Sequence, residues 1–193
     1  MQLPKGIYFE YKPVTDSDIS VTNSDIKGEH TYLVFRDGKG GERVIRGGVP
    51  KEGVAAIPIG GKITVQADVP LQNSKDKYGK DDTPQTRRAT KLDLGGRDPE
   101  RVWNDMAAKA NEIGKAGIDY NLTDQNSNSV VRAALESGKI DPAKAIPPGR
   151  KADDFHGYKN NLANPEGGFN PEKPEESDPG PNPIEGEIGG YPG

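Results

Sequence analysis

Ser127 and Ser129 lie in the run N-S-N-S at 126–129, directly before an apolar pattern in which Val130, Val131, Ala134 and Leu135 recur at helical spacing. Asn and Ser are preferred helix N-caps because their side-chain oxygens accept from unpaired first-turn amides. The spacing therefore predicts a helix that starts in this run and stops at Gly138. A hydroxyl placed there would face free N–H groups and the positive end of the helix dipole, which favour a developing negative charge. Serine is a poor nucleophile until a base lies within hydrogen-bond reach. The chain has two histidines, His30 and His156, and histidine is the side chain that can act as a base near neutral pH. The natural pair is His30 with a serine of this helix start, with Ser129 and His156 as the alternative members. The competing reading is structural: His30 only opens a strand, and the serines only cap a helix.

The elements that must position such a pair can be read from periodicity. Residues 6–12 (G-I-Y-F-E-Y-K) form an aromatic-rich strand. H-T-Y-L-V-F-R and E-R-V-I-R-G-G flank the turn D-G-K-G-G at 37–41, the signature of a hairpin whose first strand His30 opens. Residues 62–69 alternate, which predicts one strand with Ile63, Val65, Ala67 and Val69 on a single face. Residues 54–59 suit a short edge strand, since Pro58 cannot donate to a central ladder. The acids of 16–28 lack the glycine and glutamate offsets of a calcium loop and suit a solvated turn. In the helix expected over 97–116, Asp98 caps and Pro99 takes the first position. Val102, Trp103, Met106, Ala107, Ala110 and Ile113 form its core-facing stripe, and Gly117 ends it. Residues 70–96 read as a long, polar, exposed loop, of the kind that serves as a lid or stays disordered.

Composition narrows the classes. A net charge of −4 argues against a nucleic-acid module, whose phosphate contacts need a clustered basic surface. The absence of cysteine excludes disulfides, thiolate metal sites and a thiol nucleophile. No run is apolar and long enough for a signal peptide or a membrane span, so the expectation is a soluble protein, cytoplasmic or exported without a Sec-type signal. Hydrophobic residues make up only 31% and concentrate between residues 6 and 146, so a core can form there.

Taken together, G-E-H-T-Y-L-V-F at 28–35 and Y-N-L-T-D-Q-N-S-N-S at 120–129 resemble the circularly permuted papain-like fold. The likeness is to the PPPDE/DeSI-type isopeptidases, and more distantly to LRAT-like and NlpC-type hydrolases; it covers roughly residues 30–148. In those enzymes a histidine at a strand start is the base and a cysteine at a helix start is the nucleophile. The resemblance assigns the base to His30 and the nucleophile to Ser127. Gln125, Asn126 and Asn128 would then orient the site or support an oxyanion. Serine in place of cysteine removes the low-pKa thiolate on which that chemistry normally relies. It is compatible with a serine hydrolase on a thiol-hydrolase scaffold, a silent relative, or a serine introduced to trap substrate.

The expectation is thus one α+β domain over 1–162, with a small, mostly antiparallel sheet packed against two helices in a papain-like arrangement. Its expected activity is hydrolysis of a peptide, isopeptide, amide or ester bond, without metal or organic cofactor, on a protein or peptide substrate. The alternative is a catalytically silent binding domain, such as a module of a secreted bacterial effector or toxin. Residues 163–193, rich in Pro, Gly and Glu, cannot bury enough apolar surface to offset their ordering entropy and are expected to be a disordered tail. Truncation after Leu162 should accordingly leave the melting temperature within about 2 °C, as expected for chain with few native contacts. A larger drop in a thermal scan would show that the tail docks.

Overall fold

Alternating apolar residues in the first half of the chain build a twisted sheet that is buried on both faces. The computed structural model describes residues 3–13, 28–48, 59–121, 125–160 and 162. β1 (Gly6–Pro13) pairs along its whole length with β2 (Glu29–Arg36), from Gly6 opposite Arg36 to Pro13 opposite Glu29. A turn in which Gly38 and Gly40 adopt positive φ leads to β3 (Glu42–Gly48). β5 (Thr64–Pro70) and the short β6 (Thr90–Lys91) close the edges, giving the all-antiparallel order β5-β3-β2-β1-β6. β4 (Ile59–Lys62) and β7 (Asp119–Asn121) form a separate two-stranded ribbon. The class is α+β, as expected.

One face carries Ile7, Phe9, Tyr11, Leu33, Phe35 and Ile45 against α1 (Pro99–Ala116) and α2 (Ser127–Ser137). α1 begins with Asp98 accepting from the Arg101 amide and ends at Gly117 in the left-handed region. Its stripe of Val102, Trp103, Met106, Ala107, Ala110 and Ile113 is buried. Where α2 stops, a Cβ on Gly138 would come within 2.8 Å of Met106 Cγ, so glycine lets the two helices close. After α3 (Pro142–Ala145), Phe155 and Tyr158 are buried and meet Phe9 edge-on, with ring centroids 5.7 and 6.0 Å away. They extend the core beyond the apolar region that ends near residue 146.

The expected strand over 62–69 breaks at Ile63, and its single face does not hold. Val44 pairs with Val69 while Ile45 pairs with Ala67, so Asp68 is an extra residue on β5, with φ of 60°. Ile63, Val65 and Ala67 face the helices, whereas Val69 turns to the opposite face with Tyr32, Val34, Val44 and Leu71. A one-residue bulge inverts every side chain beyond it. The Asp68 carboxylate is used at once, accepting from Trp103 Nε1 at 2.7 Å and from Arg43 at 2.9 Å.

The polar segment over 70–96 is exposed at most of its residues but is fastened to the sheet at several of them. Residues 71–89 cross the second face of the sheet as a strap, and Leu71, Ser74, Asp76 and Arg87 are buried within it. Tyr78 donates to Glu10 at 2.9 Å, and Arg36 donates to the same carboxylate at 2.6 Å. Burial pushes the Glu10 carboxyl up, and Arg36 and Tyr78 oppose that rise without cancelling it. The strap is polar because it is fastened by hydrogen bonds and ion pairs, which hydropathy does not register. Among the described residues no helix is long and apolar enough to cross a membrane. Apart from Gly28 and Ile59, the expected turn at 16–28 and strand at 54–59 lie outside the described residues, as does the tail from 163.

Trp103 sits at the centre of the helix-side core, fully buried and 5.7 Å from the Phe35 ring. Trp103→Ala should destabilise the fold by roughly 3–5 kcal/mol in urea denaturation, as for other large core truncations. A loss below about 1 kcal/mol would show that α1 does not anchor the sheet.

Candidate functional site

The sheet opens at one end. Pairing between β2 and β3 runs from Arg36–Glu42 to Leu33–Ile45, while β1 continues to pair with β2 as far as Glu29. The start of α2 enters beside this divergence. Gly47 makes the entry possible, because a Cβ there would lie 2.7 Å from Ser127 Cα and 2.9 Å from a Val130 methyl.

Asn126 is the N-cap of α2, its Oδ1 accepting from the Asn128 amide at 2.9 Å and the Ser129 amide at 3.4 Å. The Ser129 hydroxyl accepts from the Asn126 amide and donates to the Gly157 carbonyl at 2.7 Å. Ser129 is fully buried in this capping box, with its hydroxyl engaged by Asn126 and Gly157. Ser127, the first helical residue, is half-buried, and its Oγ lies 3.0 Å from His30 Nδ1. His30 Nε2 lies 2.8 Å from Asp76 Oδ2. Since a carboxylate can only accept, Nε2 carries a proton, and in the neutral ring Nδ1 accepts from the Ser127 hydroxyl. The result is a continuous Ser127–His30–Asp76 line in which the base is nearly sealed and the hydroxyl is reachable.

Asp76 is fully buried and touches three basic groups. Arg46 Nε donates to Oδ2, Lys12 Nζ approaches Oδ1 at 3.1 Å, and His30 completes the set. Burial pushes the carboxyl up, but attraction to His30, Arg46 and Lys12 outweighs it and holds the group well below the usual carboxylate range. The His30 ring also stacks on Tyr32, with centroids 6.0 Å apart.

Of the remaining sequence candidates, Asn128 is buried and binds the backbone on both sides of His30. Its amide and that of Ser129 are occupied by the cap, so the Ser127 amide is the helix-start donor with no acceptor among the described residues. Asn126 Nδ2 donates to the His156 carbonyl at 2.9 Å, so its side chain is committed to the cap and not to an oxyanion. Gln125 is half-buried and its carbonyl accepts from the Asn121 amide. His156 is exposed and meets the Asn126 and Asn128 side chains through its main-chain oxygen.

Sequence reasoning missed Asp76, Arg46 and Lys12. Nothing in K-D-K at 75–77 distinguishes Asp76 from Asp81, Asp82 or Asp93. A weaker signal was available: Lys12, His30 and Arg46 all occupy the phase of their strands that points away from the helix-side core. Among the described residues no three His, Asp or Glu side chains converge as a cation site. Comparisons with protein-family models, curated proteins and solved structures find no match to this chain.

Because the native carboxyl of Asp76 titrates below its unfolded value of about 3.9, the unfolded state takes up a proton first as the pH falls. The stability Asp76 contributes is therefore complete above about pH 5 and is lost progressively below about pH 4. Asp76→Asn leaves Arg46 and Lys12 without their buried counter-charge and should cost roughly 3–5 kcal/mol at pH 7. Urea denaturation of both proteins between pH 7 and pH 2.5 should show that gap narrowing with acid. A gap that is constant or widens toward low pH would contradict the ionised, paired state of Asp76.

Proposed function

We propose that this chain is a serine-dependent hydrolase of amide, peptide, isopeptide or ester bonds. The observation that carries the reading is the uninterrupted Ser127–His30–Asp76 hydrogen-bond line at the start of a helix. The three roles differ in chemistry. Ser127 Oγ attacks the carbonyl carbon and forms the new C–O bond while its proton passes to His30 Nδ1. Asp76 keeps the ring in the required tautomer and stabilises the imidazolium that forms. The carbonyl electron pair moves onto oxygen, where the Ser127 amide and the α2 dipole stabilise it. Collapse of the tetrahedral intermediate sends the proton from Nδ1 to the departing amine or alcohol and leaves an acyl ester on Ser127. Water then attacks that ester with His30 as base, releasing the acid and restoring the hydroxyl.

The same geometry supports the assignment, by resemblance, of the papain-like nucleophile and base positions to Ser127 and His30. The nucleophile is oxygen instead of sulfur, and the orienting acid comes from the strap. By the same resemblance Gln125, half-buried two residues before Ser127, orients the site or supports the oxyanion.

A fluorophosphonate probe should label Ser127, and labelling should fall by at least about 100-fold in His30→Ala, since general-base help is commonly worth 10²–10⁴-fold. Ser127→Ala should abolish labelling and turnover of model esters with the fold intact by circular dichroism. Ser127→Cys should retain or raise ester turnover, because the thiolate is the better nucleophile beside an imidazole. Failure of wild-type Ser127 to react with either probe or ester would reduce the site to a capped helix start that holds a protein or peptide segment.

A further inference from the structure

We propose that the Asn128 carboxamide is the positioning residue that sets the distance between nucleophile and base, by standing in for a strand peptide that β3 does not supply. The proposal rests on the hydrolytic reading of Ser127 and His30, and goes beyond it by naming what holds them together. β2 is paired with β1 through His30 and Glu29, but its β3 side is left unpaired beyond Leu33. Asn128 fills that side. Its Oδ1 accepts from the Thr31 amide at 2.8 Å and the Thr31 hydroxyl at 2.9 Å. Its Nδ2 donates to the Glu29 carbonyl at 2.9 Å and to the His156 carbonyl at 3.0 Å.

Those four bonds use two lone pairs and both protons, the whole capacity of a carboxamide. The C=O and N–H of one planar group grip the backbone on either side of His30, as a strand peptide would. Asn128 is also the residue after Ser127, held one peptide away from the hydroxyl. A single rigid side chain therefore links the backbone of the base to the backbone of the nucleophile. The link to His156 adds the 155–158 turn, which is pinned to β1 by Phe155 and Tyr158. No other acyclic side chain can donate and accept twice from one plane at this reach, except a longer Gln whose extra methylene would displace the helix start.

Two variants separate positioning from simple support. Asn128→Ala removes all four bonds, whereas Asn128→Asp preserves shape and the Thr31 contacts but sets a carboxylate against the Glu29 and His156 carbonyls. In folded protein, both should slow fluorophosphonate labelling of Ser127 by about 100-fold, the scale expected when reacting groups shift by about 1 Å. Reagent affinity, read from saturation, should change less than about threefold, since the reagent does not touch Asn128. In a His30→Ala background neither variant should slow labelling further, because Asn128 acts through the imidazole. Exchange of the Thr31 amide should accelerate in Asn128→Ala, and the effect of Ser127→Ala on the His30 ring nitrogen shifts should disappear. These two NMR readouts need no turnover, so they remain decisive if wild-type Ser127 proves inert. Labelling within threefold of wild type, additive losses in the His30→Ala background, or an unchanged Ser127–His30 shift coupling would each overturn the proposal.

Discussion

A fully buried carboxylate cannot stay ionised unless charge is brought to it, and Asp76 imposes that requirement on four segments at once. Lys12 comes from β1, His30 from β2, Arg46 from β3, and Asp76 itself from the strap. Lys12, His30 and Arg46 project from the phase of their strands that the helices do not cover. The strap must therefore cross that face and seal it, which Leu71 does by packing on Tyr32, Val34 and Val44. Glu10, Arg36 and Tyr78 fasten the same strap a second time, farther along the strands. Such ionic clusters add less stability than their contacts suggest, because desolvation cancels much of the attraction. What they supply here is a single arrangement, since a displaced strap would leave several charges buried and unpaired.

Ser127 approaches from the other side of the sheet. α2 belongs to the helix layer, whereas His30 belongs to the strap face, and an intact ladder between β2 and β3 would keep them apart. Divergence of the two strands beyond Leu33 and Ile45 removes that barrier, and the missing side chain of Gly47 lets the helix start enter. Two packed layers, each stable for its own apolar reasons, thus meet only where the sheet lets them through. Apolar burial sets the positions of the elements, and polar contacts at this gap set the geometry of the site.

This division explains what was legible in the sequence. α1, with Asp98, Pro99, its apolar stripe and Gly117, follows from local rules, as do the hairpin around Gly38 and the capped start of α2. His30 and Ser127 were legible as a pair because each stands at the end of a recognisable element. The bulge at Asp68 was not, since strict alternation over 62–69 is the pattern of a regular strand, and only pairing with β3 reveals the extra residue. Nor can period two say which face of a doubly covered strand meets which layer, and here Leu33 faces the helices and Val34 the strap. Asp76 was the hardest to find. Its neighbours are exposed lysines, and its burial is produced by residues 30 to 64 positions away in the chain.

The degree of organisation around His30 fits the proposed attack by oxygen in place of sulfur. A thiol beside an imidazole can ionise before substrate arrives, and a thiolate tolerates some looseness in its base. A hydroxyl remains protonated at neutral pH and must lose its proton during the attack itself, so the acceptor nitrogen has to be in line, unprotonated and already aimed. Asp76 meets the condition on the tautomer by accepting a hydrogen bond from Nε2–H. Asn128 and Gly47 meet the condition on distance, one by gripping the backbone around His30 and the other by admitting the Ser127 backbone. The buried ionic cluster then fixes the ring plane from behind. In a chain without cysteine, these are the constraints that the proposed hydrolysis by serine would demand, and among the described residues they converge on the half-buried Ser127 hydroxyl, 3.0 Å from His30 Nδ1.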